Sequence, residues 1–132
     1  MTLQQRRQLI SAASEIQQRA HAPYSGFKVG AALLSTAGQQ FVGCNVENAS
    51  YSLTACAEQV AITSAIAAGQ KQFAALAIAS AGGVTPCGGC RQVLAEFCTD
   101  LPIFLVDTNQ EDALVELRLA DLLPHRFGKT IQ

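Results

Sequence analysis

Two separated cysteine motifs, Cys56-Ala57-Glu58 and Pro86-Cys87-Gly88-Gly89-Cys90, constrain this chain more than any other feature. Whatever fold forms has three thiols and a carboxylate to bring together. A zinc ion held by three protein ligands keeps its fourth corner for water, whereas a structural zinc fills all four corners with side chains. Zinc-bound water ionises near pH 7 rather than about 16, and a glutamate that does not bind the metal can then move its proton. The plainer alternative is a structural site in which Cys44, Cys98, His21 or His125 closes the fourth corner.

The cysteine count bears on this choice. Five cysteines cannot all pair internally, and in a reducing compartment metal binding is favoured over disulfides. Cys44 and Cys98 read as buried thiols. The N-terminus lacks the apolar run of a signal peptide, and no stretch approaches the roughly 18 apolar residues of a membrane span, so a cytoplasmic protein is expected. With a formal charge of −1 and nine scattered Lys and Arg residues, the chain offers no basic stripe for nucleic acid and no membrane anchor. Only 14% of residues are charged, against about a quarter in an ordinary soluble domain, which points to apolar surface facing another subunit. The 132 residues fit one domain, 1–132, able to bury about two-thirds of the surface its unfolded chain exposes.

The apolar spacing sets out the elements. Leu3, Ile10, Ala13 and Ile16 recur at helical spacing behind a Thr2-x-x-Gln5 capping box, predicting a helix to about Arg19. Phe27 to Leu34 and Gln40 to Cys44 read as strands joined by a turn at Thr36-Ala37-Gly38. Asn45 to Ala55 is irregular, and Cys56 to Ala68 is an apolar helix ended by Gly69. Ala74 to Ala79 is a strand, Gly88 to Phe97 a helix, Ile103 to Val106 a strand and Leu119 to Leu123 a last short helix before Pro124. The alternation predicts a three-layer α/β/α sandwich whose sheet is partly parallel, with an antiparallel section from the initial hairpin. Ligands of such sheets bind beyond the strand ends where helices begin, and both cysteine motifs fall at helix starts. The tail from His125 to Gln132 is a segment that a neighbouring subunit would order.

Pro86 has the φ of a first helical turn and lacks the N–H orphaned there, so Cys87 and Cys90 share one helical face. Gly88 and Gly89 let the backbone tighten around a metal. Helix N-termini favour thiolate over thiol. Three thiolates still leave one net negative charge against Zn²⁺, and Arg91 is the expected source of compensating charge. Glu58 lies two residues from Cys56, and positions two apart do not face each other on a helix, so it is a poor second ligand beside Cys56, yet its side chain is long enough to reach past the helix end toward a metal-activated water. Its plainer role is a first-turn glutamate favoured by the helix dipole.

Five ordered blocks resemble the small homotetrameric zinc-dependent cytidine deaminases along nearly the whole chain: Tyr24-Ser25-Gly26-Phe27-Lys28-Val29-Gly30-Ala31-Ala32, Gly43-Cys44-Asn45-Val46-Glu47-Asn48-Ala49-Ser50-Tyr51, Cys56-Ala57-Glu58, Pro86-Cys87-Gly88-Gly89-Cys90-Arg91-Gln92 and Leu122-Leu123-Pro124-His125-Arg126-Phe127. The resemblance implies a mixed five-stranded sheet and one zinc per subunit on Cys56, Cys87 and Cys90. It implies that activated water adds to C4 of cytosine while Glu58 protonates N3 and then the departing amine, leaving uridine and ammonia. It further implies that the Ala57 N–H and Thr85 carbonyl hold the base, that Phe27 packs on the pyrimidine, and that Asn45 and Glu47 clamp the ribose. Phe127, and with it Tyr51, is implied to complete a neighbouring subunit's site in a homotetramer. By composition alone Phe27 and Phe127 are ordinary packing residues, and Asn45 and Glu47 ordinary loop polarity.

The expected reaction is deamination of cytidine and 2′-deoxycytidine in pyrimidine salvage. Three alternatives stand beside it: deamination of a modified cytosine nucleoside of the blasticidin S kind, deamination of a polynucleotide, which the near-neutral charge and short loops disfavour, and a non-catalytic structural zinc module. Many relatives carry arginine after the catalytic glutamate, where it hydrogen-bonds the thiolates; this chain has Gln59, which donates without adding charge.

Overall fold

A computed structural model describes residues 1–110 and 113–128. The sequence orders them as α1 (Leu3–Gln17), β1 (Val29–Ser35), β2 (Gln40–Cys44), a 3₁₀ turn at Tyr51–Leu53, α2 (Ala57–Ala67), β3 (Phe73–Ser80), α3 (Gly88–Phe97), β4 (Pro102–Asp107), β5 (Leu114–Arg118) and α4 (Leu119–Leu122). The capping box forms as expected: Thr2 Oγ1 accepts from the Gln5 N–H at 3.0 Å, and Gln5 Oε1 from the Thr2 N–H at 2.9 Å. Gly69, at φ +86°, turns the chain after α2.

The five strands form one sheet in the order β2-β1-β3-β4-β5, with β3 and β4 parallel and the other neighbours antiparallel. The parallel section is therefore a single pair joined through α3. The fifth strand, expected from the resemblance but not from the apolar spacing, is β5. Its side chains are mostly exposed at the sheet edge, so it lacks the apolar run that marks a central strand.

Residues of the central strands alternate between two cores, giving the three layers expected. Ala31, Leu33, Leu76, Ile78, Ile103 and Leu105 pack under α2 and α3. Ala32, Leu34, Ala75, Ala77, Ala79 and Phe104 face α1 through Leu9 and Ala13. Small side chains on that second face let α1 lie close. At Gly30 it touches the strand backbone: a Cβ there would come within 2.6 Å of the Gln17 backbone nitrogen and nearer still to the Ala13 carbonyl oxygen. Among the described residues, no helix is long and apolar enough to cross a membrane. The expected ordering of the tail is described only as far as Gly128; residues 129–132 lie outside the described residues.

Candidate active site

The loop after β2 folds back on itself. The Val46 N–H donates to the Ala55 carbonyl and the Ala55 N–H to the Val46 carbonyl, each at 2.9 Å, so Cys56 returns beside Asn45. Cys56 is the N-cap of α2, whose first turn rests on β2 at Gly43. A Cβ at Gly43 would lie 2.5 Å from the Ala61 nitrogen and nearer still to the Ala57 carbonyl oxygen. From the other side, β3 ends at Ser80 and the chain runs through Pro86 to Cys87, the N-cap of α3. The Cys87 sulfur accepts the Cys90 N–H at 3.4 Å. Both cysteine motifs thus sit at helix N-termini, as their spacing predicted.

The three sulfurs of Cys56, Cys87 and Cys90 lie within 4.8 Å of one another, with Cys87 and Cys90 at 3.3 Å. Among the described residues, no His, Asp, Glu or further Cys joins them, and neither Cys44, Cys98, His21 nor His125 closes the cluster. Hydrogen bonding with Cys90 lowers the Cys56 thiol to about 7. The same contact, followed by burial, pushes the Cys90 thiol far up. Such a cluster gives up one proton readily and holds the next, because adjacent anionic sulfurs repel; a dication relieves that repulsion. The donor set fits one zinc ion with one corner left for water. Gln59 Nε2 donates to Cys90 Sγ at 3.7 Å. Cys98 is buried elsewhere, and burial raises its thiol to about 11.

Glu58 is 5% exposed, and burial raises its carboxyl above the ordinary carboxylate range. It lines a cavity of about 190 Å³ together with Cys56, Cys87, Asn45, Ala57 and Thr85. A carboxyl that gains and loses a proton nearer neutrality suits proton transfer. Ala57 is the first residue of α2, so its N–H has no acceptor within the helix, and among the described residues no other group accepts from it.

The other sequence-predicted residues are placed differently. Asn45 spends its amide on the chain: Oδ1 accepts the Val29 N–H at 2.9 Å and Nδ2 donates to the Phe27 carbonyl at 2.8 Å. Glu47 and Tyr51 line a neighbouring cavity of about 270 Å³, which shares Thr54 with the first. The Glu47 carboxylate accepts from the Tyr24 and Ser25 N–H groups and the Ser25 hydroxyl, and the hydroxyl above all holds its pKa below the ordinary range. Phe27 is 38% exposed, and its ring is not among the described residues lining either cavity. Phe127 is 86% exposed, although its backbone is pinned to the Gln92 side chain by two hydrogen bonds of 3.1 Å.

Arg91 donates its guanidinium to the Pro86 carbonyl at 2.8 Å, the Leu122 carbonyl at 3.0 Å and Thr85 Oγ1 at 3.4 Å, and so braces the loop that carries Cys87. Its charge therefore sits against the backbone beside the cluster, and among the described residues it makes no hydrogen bond to a thiol. Sequence reasoning also passed over Val29, Thr54, Ile78 and Val84 as cavity lining. Thr54 and Val84 each stand two residues before a motif, the signal that was available.

Residues 3–106 match the sequence profile described as the cytidine and deoxycytidylate deaminase zinc-binding region. The chain is 45% identical over 124 residues to the cytidine deaminase of Sporosarcina psychrophila, covering 92% of this chain and 90% of that protein. It is 42% identical over 125 residues to the cytidine deaminase of Halalkalibacterium halodurans, covering 92% and 93%. Its fold matches the crystal structure of the cytidine deaminase from Burkholderia pseudomallei with a TM-score of 0.87 at 45% identity, over 96% of this chain and all of that one.

Proposed function

Since this chain belongs to the cytidine and deoxycytidylate deaminase zinc-binding family, we propose that it hydrolyses cytidine and 2′-deoxycytidine to uridine and 2′-deoxyuridine with release of ammonia. The observation that carries this reading is the buried carboxyl of Glu58 in one cavity with two of three clustered thiols, with no fourth protein ligand among the described residues. Cys56, Cys87 and Cys90 would hold the zinc, which when bound supplies a Lewis acid that lets water ionise near neutral pH. Glu58 takes one proton from the attacking water and delivers it to N3 of the base, then takes the remaining proton from the hydroxyl added at C4 and passes it to the amine nitrogen, so that the C4–N bond breaks, ammonia leaves and C4 keeps a carbonyl. The Ala57 N–H and the Thr85 carbonyl hold the base edge. Burial raises the Glu58 carboxyl above the ordinary carboxylate range, the direction that favours its taking up a proton and handing it on.

The ionised Glu47 supports free nucleosides over nucleotides, because a carboxylate accepts hydrogen bonds from sugar hydroxyls and repels phosphate. Asn45 keeps one donor hydrogen beyond its two backbone contacts and shares this ribose role. Phe27 would pack against the pyrimidine. Phe127 and Tyr51 would meet another copy of the chain, and their exposure as single-chain side chains, 86% and 89%, supports a homotetramer with shared sites. The chain then acts as one catalytic domain, 1–132, in pyrimidine salvage. A reducing cytoplasm would keep the three thiols available to the metal. Ammonia release from cytidine, deoxycytidine and CMP, before and after zinc removal, tests this reading. It predicts turnover of both nucleosides that is lost with the metal, and activity confined to CMP would overturn it.

A further inference from the structure

The cavity wall formed by Val84 and Thr85 belongs to a loop that no strand pairs with. It leaves β3 at Ser80 and passes through Gly82 and Gly83, both at positive φ. Its backbone donors are taken by two residues at the ends of the parallel pair, which stand side by side in the register of β3 and β4. Asp107 Oδ1 accepts the Gly82 N–H at 2.8 Å. The Ser80 carbonyl accepts the Gly83 N–H at 3.2 Å, and the fully buried Ser80 hydroxyl accepts the Val84 N–H at 3.0 Å. Three successive loop amides are thus fixed from below. The supports are fixed in turn: Asp107 Oδ1 also accepts the Asn109 N–H at 2.9 Å, and the Thr108 N–H donates to the Ser80 carbonyl at 3.0 Å.

We propose that Ser80 and Asp107 are positioning residues that set the Val84–Thr85 wall at the distance the pyrimidine requires, acting through the loop and not by touching the substrate. The inference rests on the nucleoside reading above. Neither residue lines the cavity or joins the thiol cluster, so their loss should weaken binding of base and transition state alike. A side chain that merely stabilised the fold would lower the melting temperature and leave KM unmoved.

Steady-state kinetics on cytidine and calorimetric binding of uridine to zinc-loaded protein test this with Ser80→Ala, Asp107→Ala and Asp107→Asn. Each alanine variant should raise KM and weaken uridine binding about tenfold, the size of one lost hydrogen bond, with kcat within about twofold and one zinc per chain retained. Asp107→Asn keeps an acceptor oxygen and should stay within about twofold of the unsubstituted protein. Should Ser80→Ala fail to fold, Asp107→Ala and Asp107→Asn decide the matter. Unchanged KM and uridine affinity in the alanine variants, or an asparagine variant as impaired as the alanine, would overturn the proposal while leaving the deaminase reading intact. An unsubstituted, zinc-loaded protein that releases no ammonia from cytidine would instead remove the function itself, and this inference with it.

Discussion

Gln59 donates its side-chain amide to Cys90 Sγ across 3.7 Å, so the most buried sulfur of the cluster receives a neutral donor. A hydrogen bond of this kind steadies a thiolate ligand without offsetting its charge. Gln59→Ala should therefore speed zinc loss to a chelator by about 10- to 100-fold, and Gln59→Arg should slow it and raise kcat. Chelator kinetics on the two variants check this, and identical zinc retention in both would show that the contact does not tune the metal.

Glu58 is buried beside the cluster without belonging to it. Glu58→Gln preserves its size and removes its proton chemistry, so zinc content and melting temperature should hold while turnover falls about 10²- to 10⁴-fold. A structural zinc module would be indifferent to the change. Cys87→Ala, by contrast, should lose zinc and stability together, because a cluster with one ligand missing no longer satisfies the metal.

The two close helix contacts give a paired prediction. Gly43→Ala and Gly30→Ala each force a methyl into helix backbone and should destabilise the fold by about 1–3 kcal/mol in urea unfolding. Only Gly43 faces α2 at the turn that carries Cys56 and Glu58, so only Gly43→Ala should also weaken zinc affinity. Equal metal affinity in the two variants would contradict the assignment of Gly43 to seating that turn.

Asp100 Oδ1 accepts the Ala120 and Leu101 N–H groups at 3.0 and 2.9 Å, the first of these chiefly holding its carboxyl below the ordinary 3.8. A depressed folded pKa contributes stability that is present above the unfolded value and lost as pH falls through the folded one. Asp100→Asn keeps an acceptor but not the charge. The unsubstituted protein should exceed the variant in stability near neutrality, and the gap should close below about pH 4 as the carboxyl protonates. Urea midpoints across that range check the sign, and a gap that widened in acid would refute it.

The order of elements was legible because most of them are periodic and well punctuated. Gln40–Cys44 and Gly88–Phe97 emerged with the bounds expected, and Thr2 with Gln5 marked the start of α1. β5 was not legible from its own residues: at the sheet edge its burial comes from one neighbour, and no apolar alternation develops. At the site, the cysteine spacing carried the thiol cluster and Glu58 directly, because helix starts fix where those side chains begin. The direction of Arg91 and the use of Asn45 on Val29 and Phe27 depended on the loops packed around them, which local spacing does not encode.

The central claim is a zinc held by three thiolates with its fourth corner open to water. X-ray absorption at the zinc edge of the loaded protein tests it most directly. The account predicts three sulfur neighbours at about 2.3 Å and one oxygen at about 2.0 Å. Four sulfurs, or three sulfurs and an imidazole nitrogen, would contradict it.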